Sequence, residues 1–370
     1  MRRLDKVKLE ASPICAVDLF CGAGGLTYGL QRSGIRVAAG IDLDPATEYA
    51  YSKNNAGAEF LKWDVSRKKS PSVAKLFATG KYRLLAGCAP CQPFSKLTNG
   101  IGRHRSWDLL NNFARFVVGV QPELVTMENV PELARRGSEV FEHFVDTLKR
   151  NGYFVDSKVV NCVDYGAPQS RKRLVLLASR LGPITVPEGR YKTPQTRKTV
   201  REAIGSLPAV QAGKSHPKDP IHVAALLSPK NLRRVRATPR NGGTKADWPK
   251  DLLLDCHKRA TGARYRSIYG RMRWDEPAPT MTTLCNGIGN GRFGHPKQDR
   301  AITLREAALL QTFPRGYDFW PRDEKLRSKA IARMIGNAVP PQLGRALGHA
   351  LLAHVEQYER ESADGQKARR

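Results

Sequence analysis

The sequence predicts an α/β protein, a doubly wound and mostly parallel sheet joined to a smaller irregular domain. Three observations predict it. Short apolar runs ending in Gly, Asp or Asn alternate with amphipathic stretches over the first 180 residues, the rhythm of repeated strand–helix units. A glycine-rich turn follows the first of these runs. After about Pro187 the rhythm gives way to Pro, Gly and Arg with few periodic runs.

The elements follow in order. "CAVDLFCGAGGLTYGLQRSG" reads as a buried strand, a glycine turn and the start of a helix. "IRVAAGIDLDPATEYAYSKN" repeats the pattern, with a strand to Ile41, an acidic turn and a helix. "YRLLAGCAP" is a strand ending in a loop, and "WDLLNNFARFVVGV" has helical spacing. "PELVTMENV" is a further strand, and "SEVFEHFVDTLKRNGY" an amphipathic helix closed by Asn-Gly. "RKRLVLLASR" is the last strong strand. "TLREAALLQTF" returns to helix, and "KAIARMIGNAVPPQLGRALGHALLAHVEQY" reads as a turn followed by a C-terminal helix, with residues 361–370 frayed.

Composition narrows the function. The chain has 370 residues, 41% of them hydrophobic, enough for a sizeable core. No apolar run reaches the ~18 residues that cross a membrane, and the basic N-terminus has no signal-peptide core. Seven scattered cysteines suit reduced thiols in a cytoplasm. Lys and Arg number 62 against 34 Asp and Glu, a net +28 that implies a polyanionic partner, nucleic acid first. Residues 190–300 hold 23 Lys and Arg against 8 Asp and Glu, more than half of that excess. The cations stand singly or in pairs among Gly, Pro, Trp and Tyr, a texture suited to gripping phosphates.

The glycine turn is a candidate cofactor site. Gly22, Gly24 and Gly25 let a ligand approach the backbone, although Thr27 stands where a dinucleotide-binding motif has its last glycine. Asp42 ends the next strand, where a carboxylate can accept both hydroxyls of a ribose. Asp64 follows as a candidate for an adenine amino group. No phosphate-binding Lys-Ser/Thr pair follows the glycines, so a nucleoside without a phosphate tail, such as S-adenosylmethionine, fits best.

"AGCAPCQPFS" places Cys88 and Cys91 three apart. Zinc requires four ligands and no second Cys-x-x-Cys exists, so no metal is expected. A thioredoxin-like pair opens a helix, whereas Pro90 and Pro93 make this stretch a loop. A nucleophile is the third reading. Glu128 of "MENV" ends a buried strand, where an unpaired carboxylate is costly, and Gln169, Arg171 and Arg173 of "PQSRKR" lead into the last strand.

"DLFCGAGG", "PCQPFS", "ENV", "PQSRKR", "PAPTMTT" and "GNAVPP" occur in one order, and that order resembles the cytosine-5 DNA methyltransferases of bacterial restriction–modification systems. The resemblance spans roughly residues 15–345 and leaves out the segment around 190–270, where members differ by target sequence. It implies a Rossmann-like S-adenosylmethionine-dependent methyltransferase fold. Residues 1–187, completed by 330–370, would form the catalytic and cofactor-binding domain. Residues 188–300 would recognise the target, and 301–329 would be a hinge.

The resemblance also implies roles. Cys91, followed by Gln92, would add to carbon 6 of a flipped-out cytosine, making carbon 5 a nucleophile toward a sulfonium methyl. Cys88 would be a bystander. Glu128 would meet ring nitrogen 3, Asn129 would brace its loop, and Arg173, with Arg171 nearby, would bind the cytosine carbonyl. Phe20 would stack on adenine, Asp42 hold the ribose, Asp64 the amino group and Asn337 the methionine end, with Leu43, Val65 and Pro90 also lining the cofactor pocket. The partner would be duplex DNA, met by a monomer, with a cognate restriction endonuclease acting on the same site. A tRNA substrate, taken by one branch of the family, stays open, but the Cys-Phe-Thr signature of that branch is not found. A silent DNA-binding module and a nicotinamide-linked oxidoreductase are the remaining alternatives.

Overall fold

The computed structural model describes residues 11–77, 80–90, 105–258 and 267–367. The chain forms two compact units: residues 1–161 with 172–189 and 339–370, and residues 162–171 with 190–338. No described helix is long and apolar enough to cross a membrane.

The first unit is built on seven strands: β1 (Ile14–Leu19), β2 (Arg36–Asp42), β3 (Glu59–Lys62), β4 (Tyr82–Gly87), β5 (Leu124–Asn129), β6 (Phe154–Asn161) and β7 (Lys172–Ser179). Their order across the sheet is β3-β2-β1-β4-β5-β7-β6. The first five pair in parallel and β7 runs antiparallel between β5 and β6. This is the α/β, mostly parallel sheet that the strand–helix rhythm predicts. Every residue of β1 and of β5 is buried, as strands covered on both faces must be. Val17, Leu85, Val125, Met127 and Leu176 from the sheet meet Phe113 and Phe116 of helix Arg105–Val120 and Phe144 of helix Ser138–Arg150.

Helix Gly25–Ser33 packs on the C-terminal helix Pro341–Lys367. The approach is close because Gly29 has no side chain. A Cβ there would lie 2.4 Å from the Pro341 carbonyl oxygen and 2.8 Å from Gly344 Cα.

Three elements depart from the sequence reading. "KAIARMIGN" is not a turn but most of helix Ser328–Asn337, which buries Ile331, Ala332, Met334 and Ile335 at helical spacing. The C-terminal helix continues to Lys367 where fraying was expected from 361, tied in its outer turns by Gln357 to Glu361 (2.8 Å). Strand β6 went unread because it is an edge strand with Phe154 and Val159 half exposed, so its sequence lacks the alternation of a one-sided strand.

The second unit has little regular structure: short helices at Val200–Ile204, Pro229–Ala237, Asp255–Lys258 and Leu304–Leu310, the helix ending at Asn337, and a small hairpin of β8 (Ser215–His216) and β9 (Asp219–Val223). Loops leave backbone carbonyls without ladder partners, and buried arginines satisfy them here. Arg271, 1% exposed, donates to the carbonyls of Val235, Thr238 and His295 and pairs with Asp299. Arg300 donates to Val210 and Ala301 and grips Glu306 with two bonds of 2.7 and 2.8 Å. Arg234 donates to Leu252 and stacks against Trp248 and Tyr269. Part of the basic charge of 190–300 is therefore internal scaffolding, while Lys230, Arg233, Arg236 and Arg240 remain exposed. Residues 301–329 carry helix Leu304–Leu310 and a buried cluster of Phe313, Tyr317 and Phe319.

Candidate active site

The glycine turn leaves the carboxyl end of β1. Phe20 takes φ 59°, Gly22 φ 52° and Gly24 φ 85°, three left-handed residues that fold the chain back on itself. A Cβ on Gly24 would lie 2.2 Å from Asn55 Nδ2, so that position requires glycine on two counts. Gly22 N donates to Asp42 Oδ2 (2.8 Å) and Asp44 N to Asp42 Oδ1 (2.8 Å), which fixes the carboxylate at the end of β2. Burial nevertheless raises the Asp42 pKa above the ordinary range. Phe20 is half-buried, Val65 buried and Leu43 60% exposed. Asp64 accepts from Ser66 Oγ (2.6 Å) and Ser66 N (2.9 Å), and these bonds hold its carboxyl below the usual range.

Asp18 belongs to this turn and was not singled out in the sequence. It stands inside β1 at 1% exposure, and its Oδ2 accepts from Thr27 Oγ1 (2.7 Å). Its Oδ1 has no hydrogen-bond partner among the described residues. Burial, reinforced by the Asp42 charge and opposed by Thr27, pushes its pKa up to about 7. Thr27 thus holds an acid where a dinucleotide-binding turn has glycine. The readable signal was a charged residue within an otherwise apolar run.

The second cluster stands at the carboxyl ends of β4 and β5. Glu128 is 3% exposed in β5. Arg173 Nε lies 2.8 Å from Glu128 Oε1 as an ion contact, while Oε1 accepts no aligned hydrogen bond among the described residues. Cys88 Sγ donates to Glu128 Oε2 at 2.9 Å. Asn129 braces the neighbouring loop, donating from Nδ2 to the Ala89 carbonyl (3.2 Å) and accepting from Val130 N (2.7 Å). Pro90 follows, exposed, and Cys91 and Gln92 lie outside the described residues.

Two expected site residues belong to the second unit. Arg171 is 2% exposed, and its guanidinium donates to the carbonyls of Met281 (2.8 Å) and Gly336 (2.8 Å), a bracing arrangement within that unit. Asn337 is the exposed last residue of helix Ser328–Asn337. No group of three or more His, Cys, Asp or Glu among the described residues could hold a metal ion.

The chain is similar to proteins of one family. The family model of the C-5 cytosine-specific DNA methylases matches residues 14–353. The Type II methylase M.HgiDII of Herpetosiphon aurantiacus is 47% identical over 92% of this chain and 95% of its own length. The Type II methyltransferase M1.HphI of Haemophilus parahaemolyticus is 32% identical over 94% of this chain and 89% of its own. Among solved structures, the DNMT2 of Spodoptera frugiperda superposes with a TM-score of 0.60 at 16% identity, covering 91% of this chain and 99% of that one. At that identity the likeness speaks for the fold alone.

Proposed function

The chain belongs to the C-5 cytosine-specific DNA methylases, and from that premise we propose the finer reaction. It methylates carbon 5 of a cytosine within one short duplex sequence, through a covalent Cys91 adduct on a base flipped out of the helix. Methyl transfer to cytosine in DNA is the reaction class of the family, which depends on S-adenosylmethionine in general.

The residues around the glycine turn fit that cofactor. Asp18 and Asp42 are buried carboxyls whose ionisation is resisted by burial. A ligand with positive charge eases that cost, whereas a pyrophosphate would add to it. Asp42 would take the ribose hydroxyls and Asp64 the adenine amino group. Phe20, Leu43 and Val65 would face the adenine ring. The backbone of Gly22, Gly24 and Gly25, with Pro90, would complete the pocket. When bound, the cofactor supplies a methyl group made electrophilic by its sulfonium.

The chain's own groups do the rest. The Cys91 thiolate adds to carbon 6, which turns carbon 5 into an enamine-like nucleophile. As the thiolate adds, the Glu128 carboxyl, carrying a proton, donates it toward ring nitrogen 3, and Arg173 hydrogen-bonds the carbonyl oxygen where negative charge builds. Asn129 braces the neighbouring loop, Gln92 stands next to the nucleophile in sequence, and Arg171 braces the second unit. Loss of the carbon-5 proton and departure of the thiolate restore the aromatic ring. Flipping the base costs a few kcal/mol, offset by phosphate contacts from exposed cations such as Lys230, Arg236 and Arg240. A monomer suffices, in the bacterial cytoplasm, alongside a restriction endonuclease of the same specificity.

The observation that carries this reading is Glu128, buried at a strand end with one carboxylate oxygen lacking an aligned donor. The test is methyl transfer from labelled S-adenosylmethionine to duplex DNA, followed by bisulfite sequencing. Methylcytosine at one short motif, lost in Cys91→Ser, is the expected result. A duplex carrying 5-fluorocytosine at the target should trap the adduct, since carbon 5 then has no proton to lose. Unmethylated DNA with soluble, folded protein would refute the reading.

A further inference from the structure

The register of three neighbouring strands brings a third side chain to Glu128. β4 and β5 pair in parallel with Gly87 opposite Met127, so the next residues along, Cys88 and Glu128, come side by side. β5 and β7 pair antiparallel with Glu128 opposite Val175, and Arg173, two residues away, shares the face of Val175. The carboxyl therefore sits between Arg173 Nε, 2.8 Å from Oε1, and Cys88 Sγ, 2.9 Å from Oε2.

We propose that Cys88 is a positioning residue for the reaction, its thiol fixing the Glu128 carboxyl so that Oε1 faces ring nitrogen 3 of the target cytosine. The inference rests on the reading of Glu128 given above. Its physical basis is the softness of the last torsion of a glutamate, which is broad and roughly two-fold. The ion contact from Arg173 is not an aligned hydrogen bond and leaves that rotation loosely determined. A second contact, on the other oxygen, determines it. A thiol is a weak donor, and the unprotonated oxygen of the Glu128 carboxyl accepts from it while the other oxygen faces the base. Cys88 uses a lone pair of Oε2 only, so Oε1 is left to carry the proton that ring nitrogen 3 requires.

The experiment compares Cys88→Ala, Cys88→Ser and Glu128→Gln in the full chain with duplex DNA and labelled S-adenosylmethionine. It measures kcat, KM for DNA, cofactor affinity and the melting temperature. Cys88→Ala should lower kcat about tenfold, on the order of one hydrogen bond, with cofactor affinity and melting unchanged. Cys88→Ser keeps a donor and should recover most of that loss. If Cys88→Ala does not fold, Cys88→Thr and Cys88→Val replace the pair, equal in shape and different in the donor, with Thr the faster. Glu128→Gln inactive while Cys88→Ala matches the natural protein would overturn the role of Cys88 alone. Equal losses in the donor-bearing and donor-free variants would overturn it as well. A fully active Glu128→Gln would remove the reading of the acid, and Cys88 with it.

Discussion

Replacing Asp18 with Asn should stabilise the cofactor-free protein, and more so at higher pH. Asp18 is 1% exposed, and its pKa is pushed from 3.8 to about 7 by burial, with Thr27 as the hydrogen-bond donor found for it among the described residues. A folded pKa raised above the unfolded value means that the native state binds the extra proton between those two pH values. Stability therefore falls as pH rises from about 4 to about 7, then stays level. Roughly three pH units at 1.4 kcal/mol each put the full loss on the order of 4 kcal/mol. Asparagine does not ionise and can still accept from Thr27. The gap between the variant and the natural chain should widen by roughly 2 kcal/mol between pH 5 and pH 7. Denaturant unfolding of both proteins at a series of pH values measures it. Parallel curves would refute the reasoning, because they would mean that the carboxyl is solvated or already neutralised by another group.

Other perturbations have equally definite outcomes. Gly29→Ala gains about 1 kcal/mol of helix propensity, but its Cβ would lie 2.4 Å from a backbone oxygen that cannot swing away. Overpacking of about 1–3 kcal/mol should win, seen as a lower unfolding midpoint. Arg300→Met strands the buried Glu306 carboxylate, whose pKa burial would raise but the Arg300 pair holds down. It should cost roughly 3–5 kcal/mol at neutral pH. Because the Glu306 pKa is depressed, that contribution is present above about pH 4.5 and lost as pH falls through the folded value, so the variant's deficit should shrink in acid. Arg236→Ala should weaken duplex binding without moving the melt and flatten the salt dependence by about one counterion. Arg271→Ala should lower the melt instead.

Much of the fold was legible because strands β1, β2, β4 and β5 are short, largely apolar and followed by a turn signal. "LVTMEN" became β5 buried at all six positions, and "KRLVLLAS" became β7. β6 was illegible for the opposite reason: Phe154 and Val159 are half exposed and the strand lies at the sheet edge. The Gly-Asn of "MIGN" resembled a turn, yet Gly336 lies in the last turn of a helix, where a Cβ would lie 2.3 Å from the Thr282 carbonyl carbon. Close packing, not chain reversal, explains that glycine.

The site shows why side-chain identity and neighbourhood are separate questions. Motif order could propose Glu128 and Arg173, which lie 45 positions apart, but it left Cys88 a bystander, since spacing along one strand does not state what stands on the next. Register does. Once Gly87 is opposite Met127 and Glu128 opposite Val175, Cys88 and Arg173 have little choice but to flank the acid. The same logic separates the arginines of the second unit. Arg234 and Arg236 are two residues apart on one helix, yet one is 4% exposed and donates to a loop carbonyl while the other faces solvent. Net charge counts them alike. Only the buried one holds the loop, and only the exposed one is free to meet a phosphate, so a charge total read from sequence overstates the DNA-facing surface by the arginines the fold keeps for itself.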